Sequence, residues 1–357
     1  MMKKGLIATM FMLAAVALLA IGVVCSSAGE KKAAASSDKM PKLKGIAYVA
    51  GHGGHLAVLN LATGDLDRIV VGPAGGELAG KIAGLSLSEE KEAGGGTHGQ
   101  ALIGRTLYVG MLNGHVKKVD LDSKDKEAVD LGPIGKKFCG AVPGPDNKVY
   151  YEDMADGNVY VFDPKTDKLV DTIPVGMAVC GIGWDKGDKN AFVSDMVQGK
   201  VFVLDWKTKK IVNTIDGVGT FIHQARTNPS KTELWVTAAN EFTVGAKGPE
   251  PNAVAGKGKA ELTIIDMKTQ KIKEKIDLTE EGAFSHDLAF TPDGKYALVT
   301  ARTYSDDSIL IYMDAKTHKI LGQKSLCLAC HEKMGIEVTI DNKSPLLCGI
   351  EVDWNAK

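Results

Sequence analysis

A short β-branched run closed by an Asp/Lys/Thr turn recurs six times along the chain: LAVLNLATGDL from Leu56, VKKVDLDSKDK from Val116, VYVFDPKTDKL from Val159, VFVLDWKTKKI from Val201, LTIIDMKTQKI from Leu262 and LIYMDAKTHKI from Leu310. Most copies follow a second element, an apolar strand leading through a Pro/Asp/Gly/Asn turn to another strand: AVPGPDNKVYYED at Ala141, IGWDKGDKNAFVSD at Ile182, ARTNPSKTELWVTA at Ala225 and LAFTPDGKYALVTA at Leu288. Each unit therefore reads as four antiparallel strands over about 40 residues, with period-2 alternation and turn formers between them. One such sheet leaves both apolar faces bare. Stacking the units radially buries them, so the repeat predicts an all-β chain folded as a β-propeller of four-stranded blades. A sandwich or pair of sandwiches is the competing arrangement, but it does not call for so regular a repeat.

The chain ends fit a closed ring. The unit from Gly45 lacks a leading strand, and the stretch from Gly335 to Val352 supplies leading strands with nothing after them, so N- and C-terminal strands are expected to share a blade and leave no free edge. Six repeats are legible, and a surplus strand raises the expected blade number to seven. Two stretches break the period, 73–96 and 240–260, and are expected to be inserted loops in a single propeller domain spanning 45–357.

Composition narrows the function classes. With 43 Lys+Arg against 44 Asp+Glu and 44 % hydrophobic residues, the chain is a water-soluble globular type without the basic excess of a nucleic-acid binder. Forty-one glycines in 357 residues exceed the usual share of roughly 7 % and suit a turn-rich fold. The N-terminus, with Lys3-Lys4, an apolar run from Leu6 to Val24 and small residues to Ala28, reads as a signal peptide over 1–28, followed by a polar leader over 29–44 expected to be disordered. An exported protein is implied, with no membrane span once the signal is removed; a retained anchor is the alternative. Five cysteines then remain, Cys139, Cys180, Cys327, Cys330 and Cys348, an odd number that prevents complete internal pairing.

Leading strands begin with a polar or sulfur residue in matching register: His98, Cys139, Cys180, His223, His286 and, by extrapolation, Met334. Innermost strands line a propeller's axis, so these side chains are candidates for a ring at one mouth. Imidazole and thiol are soft-metal donors, though tight axial packing selects similar residues. Cys327-Leu328-Ala329-Cys330-His331 has the spacing of a c-type haem attachment sequence, two thiols for the vinyl groups and an axial imidazole. A CxxC disulfide or a vestigial motif explains it equally. His52 and His55 flank a Gly-rich turn and have no carboxylate partner at a telling spacing.

The phrases PDGKYALVT and VYVFDPKTDKL resemble the YVTN-type and cytochrome d1-like β-propellers over nearly the whole stretch from Gly45 to Val352. The opening IAYVAGHGGHLAVLNL, the signal peptide and the inserted loop carrying Glu250 resemble more closely the β-subunits of hydrazine synthases of anaerobic ammonium-oxidising bacteria. That resemblance implies a seven-bladed, non-catalytic subunit of a complex that joins nitric oxide and ammonium into hydrazine. Partners would be α and γ subunits bearing haem c, assembled as a heterotrimer or a dimer of heterotrimers, in a periplasm-like space or the anammoxosome lumen. Glu250 would help gate passage of a hydroxylamine intermediate between the partners' haem sites. The family's β-subunit lacks haem, whereas this chain carries Cys327, Cys330 and His331. A free-standing exported c-type haem propeller that carries electrons therefore stays open as the alternative.

Overall fold

The computed structural model describes residues 40–51, 54–72, 81–82, 85–86, 96–240, 259–278, 282–303, 308–326 and 347–356. Six four-stranded antiparallel sheets account for nearly all of them. The first blade combines both ends of the chain: Leu347–Asp353 is its innermost strand and pairs with Ile46–Gly51, which is followed outward by His55–Asn60 and Leu66–Val70. The other five run in chain order from the axis outward and begin with the inner strands Thr97–Ile103, Phe138–Pro143, Val179–Trp184, Ala225–Thr227 and Gly282–Phe290.

Each inner strand touches the inner strand of the next blade, and that of the sixth touches Leu347–Asp353 of the first. Among the described residues the circle closes with six blades, and Leu347–Asp353 is the shared strand that seals the first. The rest of the Gly335 to Val352 stretch, where the surplus strand was counted, lies outside the described residues.

What holds the ring is apolar packing between blades. Six buried clusters each straddle one pair of neighbours, as when Leu59 and Ile350 of the first blade meet Leu298 and Leu310 of the sixth. Each fully buried Leu, Ile or Val is worth about 1.5–3 kcal/mol of transfer free energy. Outermost strands show the opposite character: Val129, Val170 and Val212 are largely exposed, and Lys-bearing sequences such as KIKEKID discourage pairing with another chain.

The turn between third and fourth strands explains why the repeat is so legible. Asp205, Asp266 and Asp314 each accept from the backbone N–H and the hydroxyl of the Thr three residues on, at 2.7–2.9 Å. The next residue, Lys209, Gln270 or His318, then takes a left-handed φ of 55–59°.

Several boundaries differ from the sequence reading. Leu43 is buried and Met40 packs on the same cluster, so residues 40–44 belong to the fold and not to the leader. Lys81–Ile82 pairs with Leu85–Ser86 inside the 73–96 stretch, and the first and last residues of the 240–260 stretch are strand, within Glu233–Asn240 and Lys259–Asp266. The signal peptide, the rest of the leader, Glu250, Cys327, Cys330, His331, Met334 and His52 lie outside the described residues. Among the described residues, no helix is long and apolar enough to cross a membrane.

Candidate functional site at the axial mouth

The inner strands share an irregularity that decides where their first side chains go. In the second blade Thr97 pairs with Met111 and Gly99 with Gly110, so His98 is one residue too many for its partner strand. Cys139, Cys180 and His286 are the extra residues in the third, fourth and sixth blades. In the first, Cys348 and Gly349 together oppose Ala50. In the fifth, the His223 N–H donates to the Thr237 carbonyl and the Thr237 N–H to Gln224, which gives His223 the equivalent place. A bulge re-aims the residue it inserts. Here it brings six imidazoles and sulfurs to one mouth of the axis, with Cys348 as the sixth among the described residues.

Glycine after the bulge residue lets the strands approach. A Cβ on Gly99 would stand 2.5 Å from the Cα of Gly140, one on Gly349 2.7 Å from the Cα of Gly99, and one on Gly181 2.1 Å from the backbone nitrogen of Ala225. The dipeptides His98-Gly99, Cys139-Gly140, Cys180-Gly181 and Cys348-Gly349 thus form a collar of touching backbones. Hydroxyls from the second strand of the preceding blade hold several bulge carbonyls. Ser194 donates to His223, Thr237 to His286 and Thr300 to Cys348, at 2.6–2.7 Å.

The six residues divide into two halves. Cys139 and Cys180 form a disulfide, with Cα atoms 5.0 Å apart, which removes both from any set of thiolate ligands. On the other side the rings of His223 and His286 are 4.4 Å apart, those of His98 and His286 5.8 Å, and one donor atom from each of His98, His286 and Cys348 lies within 4.8 Å of the others. All three are buried. His98 Nδ1 bonds to the Cys139 carbonyl. A carbonyl only accepts, so Nδ1 carries the proton and the lone pair is on Nε2. Burial lowers the His98 pKa to about 4 and that of His223, next to His98, to about 3, so both imidazoles are neutral at pH 7.

Beyond the ring, charged groups line the axis. Arg226 meets Asp287 in a two-point ion pair at 2.8 and 2.7 Å, and Asp287 also accepts from the backbone N–H groups of Leu288 and Ile350 at 2.7 and 3.0 Å. Glu152 is buried, with no other described residue hydrogen-bonded to its carboxyl oxygens. Desolvation raises its pKa to about 8 despite the nearby Arg226. Glu351 is raised to about 7, again by burial first. Arg226 and Glu351 open at the far end into a cavity of ≈ 250 Å³ bordered by Trp184, Phe290 and Trp354.

Reading the register alone brings His98, Cys139, Cys180, His223 and His286 to one place but leaves out Cys348, Glu152, Arg226, Asp287 and Glu351. The Cys348-Gly349 dipeptide, matching three others, was the available signal for the first. His55, in contrast, is buried at the start of its strand, where its carbonyl accepts from Thr97.

The topology also gives the axial mouth a context. First strands start, and second strands end, on this face. The described strands flanking 241–258, which holds Glu250, and 327–346, which holds Cys327, Cys330 and His331, therefore end or begin here.

No family model and no curated protein matches the sequence. Among solved structures the fold is similar to Kuenenia stuttgartiensis hydrazine synthase, at 17 % identity and a TM-score of 0.53 over 70 % of this chain and 70 % of that one.

Proposed function

We propose that this chain is an exported propeller subunit of a hydrazine synthase-like complex, with haem-bearing partners, and that it supplies structure and control while the partners supply the redox chemistry. The observation that carries the reading is the two-way 70 % likeness of fold to a hydrazine synthase, which joins the resemblance of IAYVAGHGGHLAVLNL and the Glu250 insertion to the β-subunits of such enzymes. A rigid ring with inserts anchored on one face suits that task. The blades fix the attachment points of 241–258 and 327–346, and this reading assigns those segments to partner contact. In this reading Glu250, a carboxylate able to hydrogen-bond hydroxylamine, gates transfer of the intermediate, and partner contact occurs on the face of the axial mouth.

The test is co-purification of the native chain, with identification of what accompanies it. Stable association with chains carrying several CxxCH motifs, hydrazine formation by the complex and none by the isolated chain are expected. In the complex, Glu250→Gln should release hydroxylamine at the expense of hydrazine. An isolated chain with a covalent haem absorbance lost in Cys330→Ala, and no haem-bearing partner, would replace this reading with that of an electron carrier.

A further inference from the structure

The two halves of the axial ring are not equivalent, and the difference falls at the place where the circle is sealed. Cys139 and Cys180 tie the third blade to the fourth covalently. His286, Cys348 and His98 belong to the sixth, first and second blades, and the first blade is completed by the C-terminal strand. We propose that His98, His286 and Cys348 form a structural site for a soft metal ion, zinc or copper, that clamps the closing strand to the blades on either side of it.

Geometry supports this in three ways. The donors come from three successive blades at one bulge position, so the backbone delivers them to a common point. Their atoms lie within 4.8 Å of one another. In a filled site with metal–nitrogen bonds of about 2.0 Å and a metal–sulfur bond of about 2.3 Å, donors stand about 3.3–3.7 Å apart, so roughly 1 Å of side-chain movement completes coordination. The Cys139 carbonyl holds the Nδ1–H of His98, the second-sphere bond that fixes a metal-binding imidazole's tautomer and orientation. Finally, the Thr300 hydroxyl on the Cys348 carbonyl and the Thr237 hydroxyl on that of His286 anchor the backbone beneath two of the donors. Two imidazole nitrogens and one sulfur select zinc or copper over calcium and magnesium, whose ligands are oxygens. The site requires no partner subunit and stands whether or not the chain joins a complex.

Zinc is the probe. The mature chain, freed of metal by a chelator, is titrated with Zn²⁺, and the product is studied by metal analysis and zinc-edge X-ray absorption, which the iron of any bound haem does not obscure. One zinc per chain is expected, with a single sulfur scatterer at about 2.3 Å and the remaining first-shell scatterers at about 2.0–2.1 Å. Zinc should also slow proteolysis at the C-terminal strand. Cys348→Ser should lose the sulfur scatterer and stoichiometric binding, whereas Cys330→Ser should retain both. Absence of stoichiometric zinc, a first shell without sulfur, or a sulfur signal that survives in Cys348→Ser would overturn the proposal. Should Cys348→Ser not fold, the sulfur count of the unaltered chain decides, because none, or two or more, is incompatible with the site.

Discussion

Cys139 and Cys180, 41 residues apart, are the bulge residues of adjacent blades, and their disulfide crosses the gap between two inner strands. It adds a covalent tie to the side-chain packing between the two sheets. Closing a loop of this length stabilises the fold by about 3–4 kcal/mol in the chain-entropy account. The Cys139→Ser/Cys180→Ser double variant should unfold several degrees lower in calorimetry, and added reductant should lower the unaltered protein toward the same temperature. A variant indifferent to reductant yet equal in stability to the parent would contradict this.

Glu152 ties stability to pH. Its folded pKa, about 8, lies above the unfolded value of 4.5, so the folded state keeps a proton that the unfolded state has already released. This contribution is complete below 4.5 and is lost as pH rises through 8. Glu351 acts in the same direction, up to about 7. In Glu152→Gln the fall in melting temperature between pH 5 and pH 9 should be visibly shallower than in the parent. Parallel curves would show that the carboxyl is ionised in the folded protein.

Arg226 and Asp287 form a buried pair from the fifth and sixth blades, 12 % and 1 % exposed. Removing one charge strands the other, and Arg226→Met should cost about 3–5 kcal/mol. Adding Asp287→Asn relieves the stranded charge and should return part of that loss. A double-mutant cycle by denaturant unfolding should give a coupling of about 1–3 kcal/mol, whereas additive losses would mean the pair is solvated.

The glycine collar offers a steric test. Gly99→Ala drives a Cβ into the backbone of the third blade at 2.5 Å, which no side-chain rotation relieves. A loss of about 3 kcal/mol or more is expected, at the upper end of the cost of overpacking. Gly217, at φ +70° with nothing within 4 Å of a Cβ, serves as control. Its alanine variant should lose only the left-handed backbone penalty of about 1–2 kcal/mol.

The blades were readable because their determinants are local. The Asp side chain that caps each turn and the alternating apolar residues before it lie within about a dozen positions of one another. Blade number was harder, since a lone leading strand looks alike whether it opens a new blade or closes the first, and only the pairing of Ile46–Gly51 with Leu347–Asp353 decides. The axial mouth was half legible. Register placed five of its residues, but the Cys139–Cys180 link depends on the spacing between adjacent blades, which five cysteines in a linear chain do not reveal. Glu152, in VYYED, reads as an ordinary outward-facing residue of an alternating strand. Its burial depends on its partner in the inner strand, Gly140, where a Cβ would stand 2.5 Å from Glu152 Oε2, a contact between strands and not a property of VYYED alone.

Because the innermost strand of the first blade is supplied by residues 347–353, that sheet stays three-stranded until those residues have been made. The last link is a contact across some three hundred positions and must be slow compared with the hairpins that precede it. Until it forms, Ile46–Gly51 presents an unpaired apolar margin to its surroundings, and a chain cut before Leu347 would keep that margin open permanently.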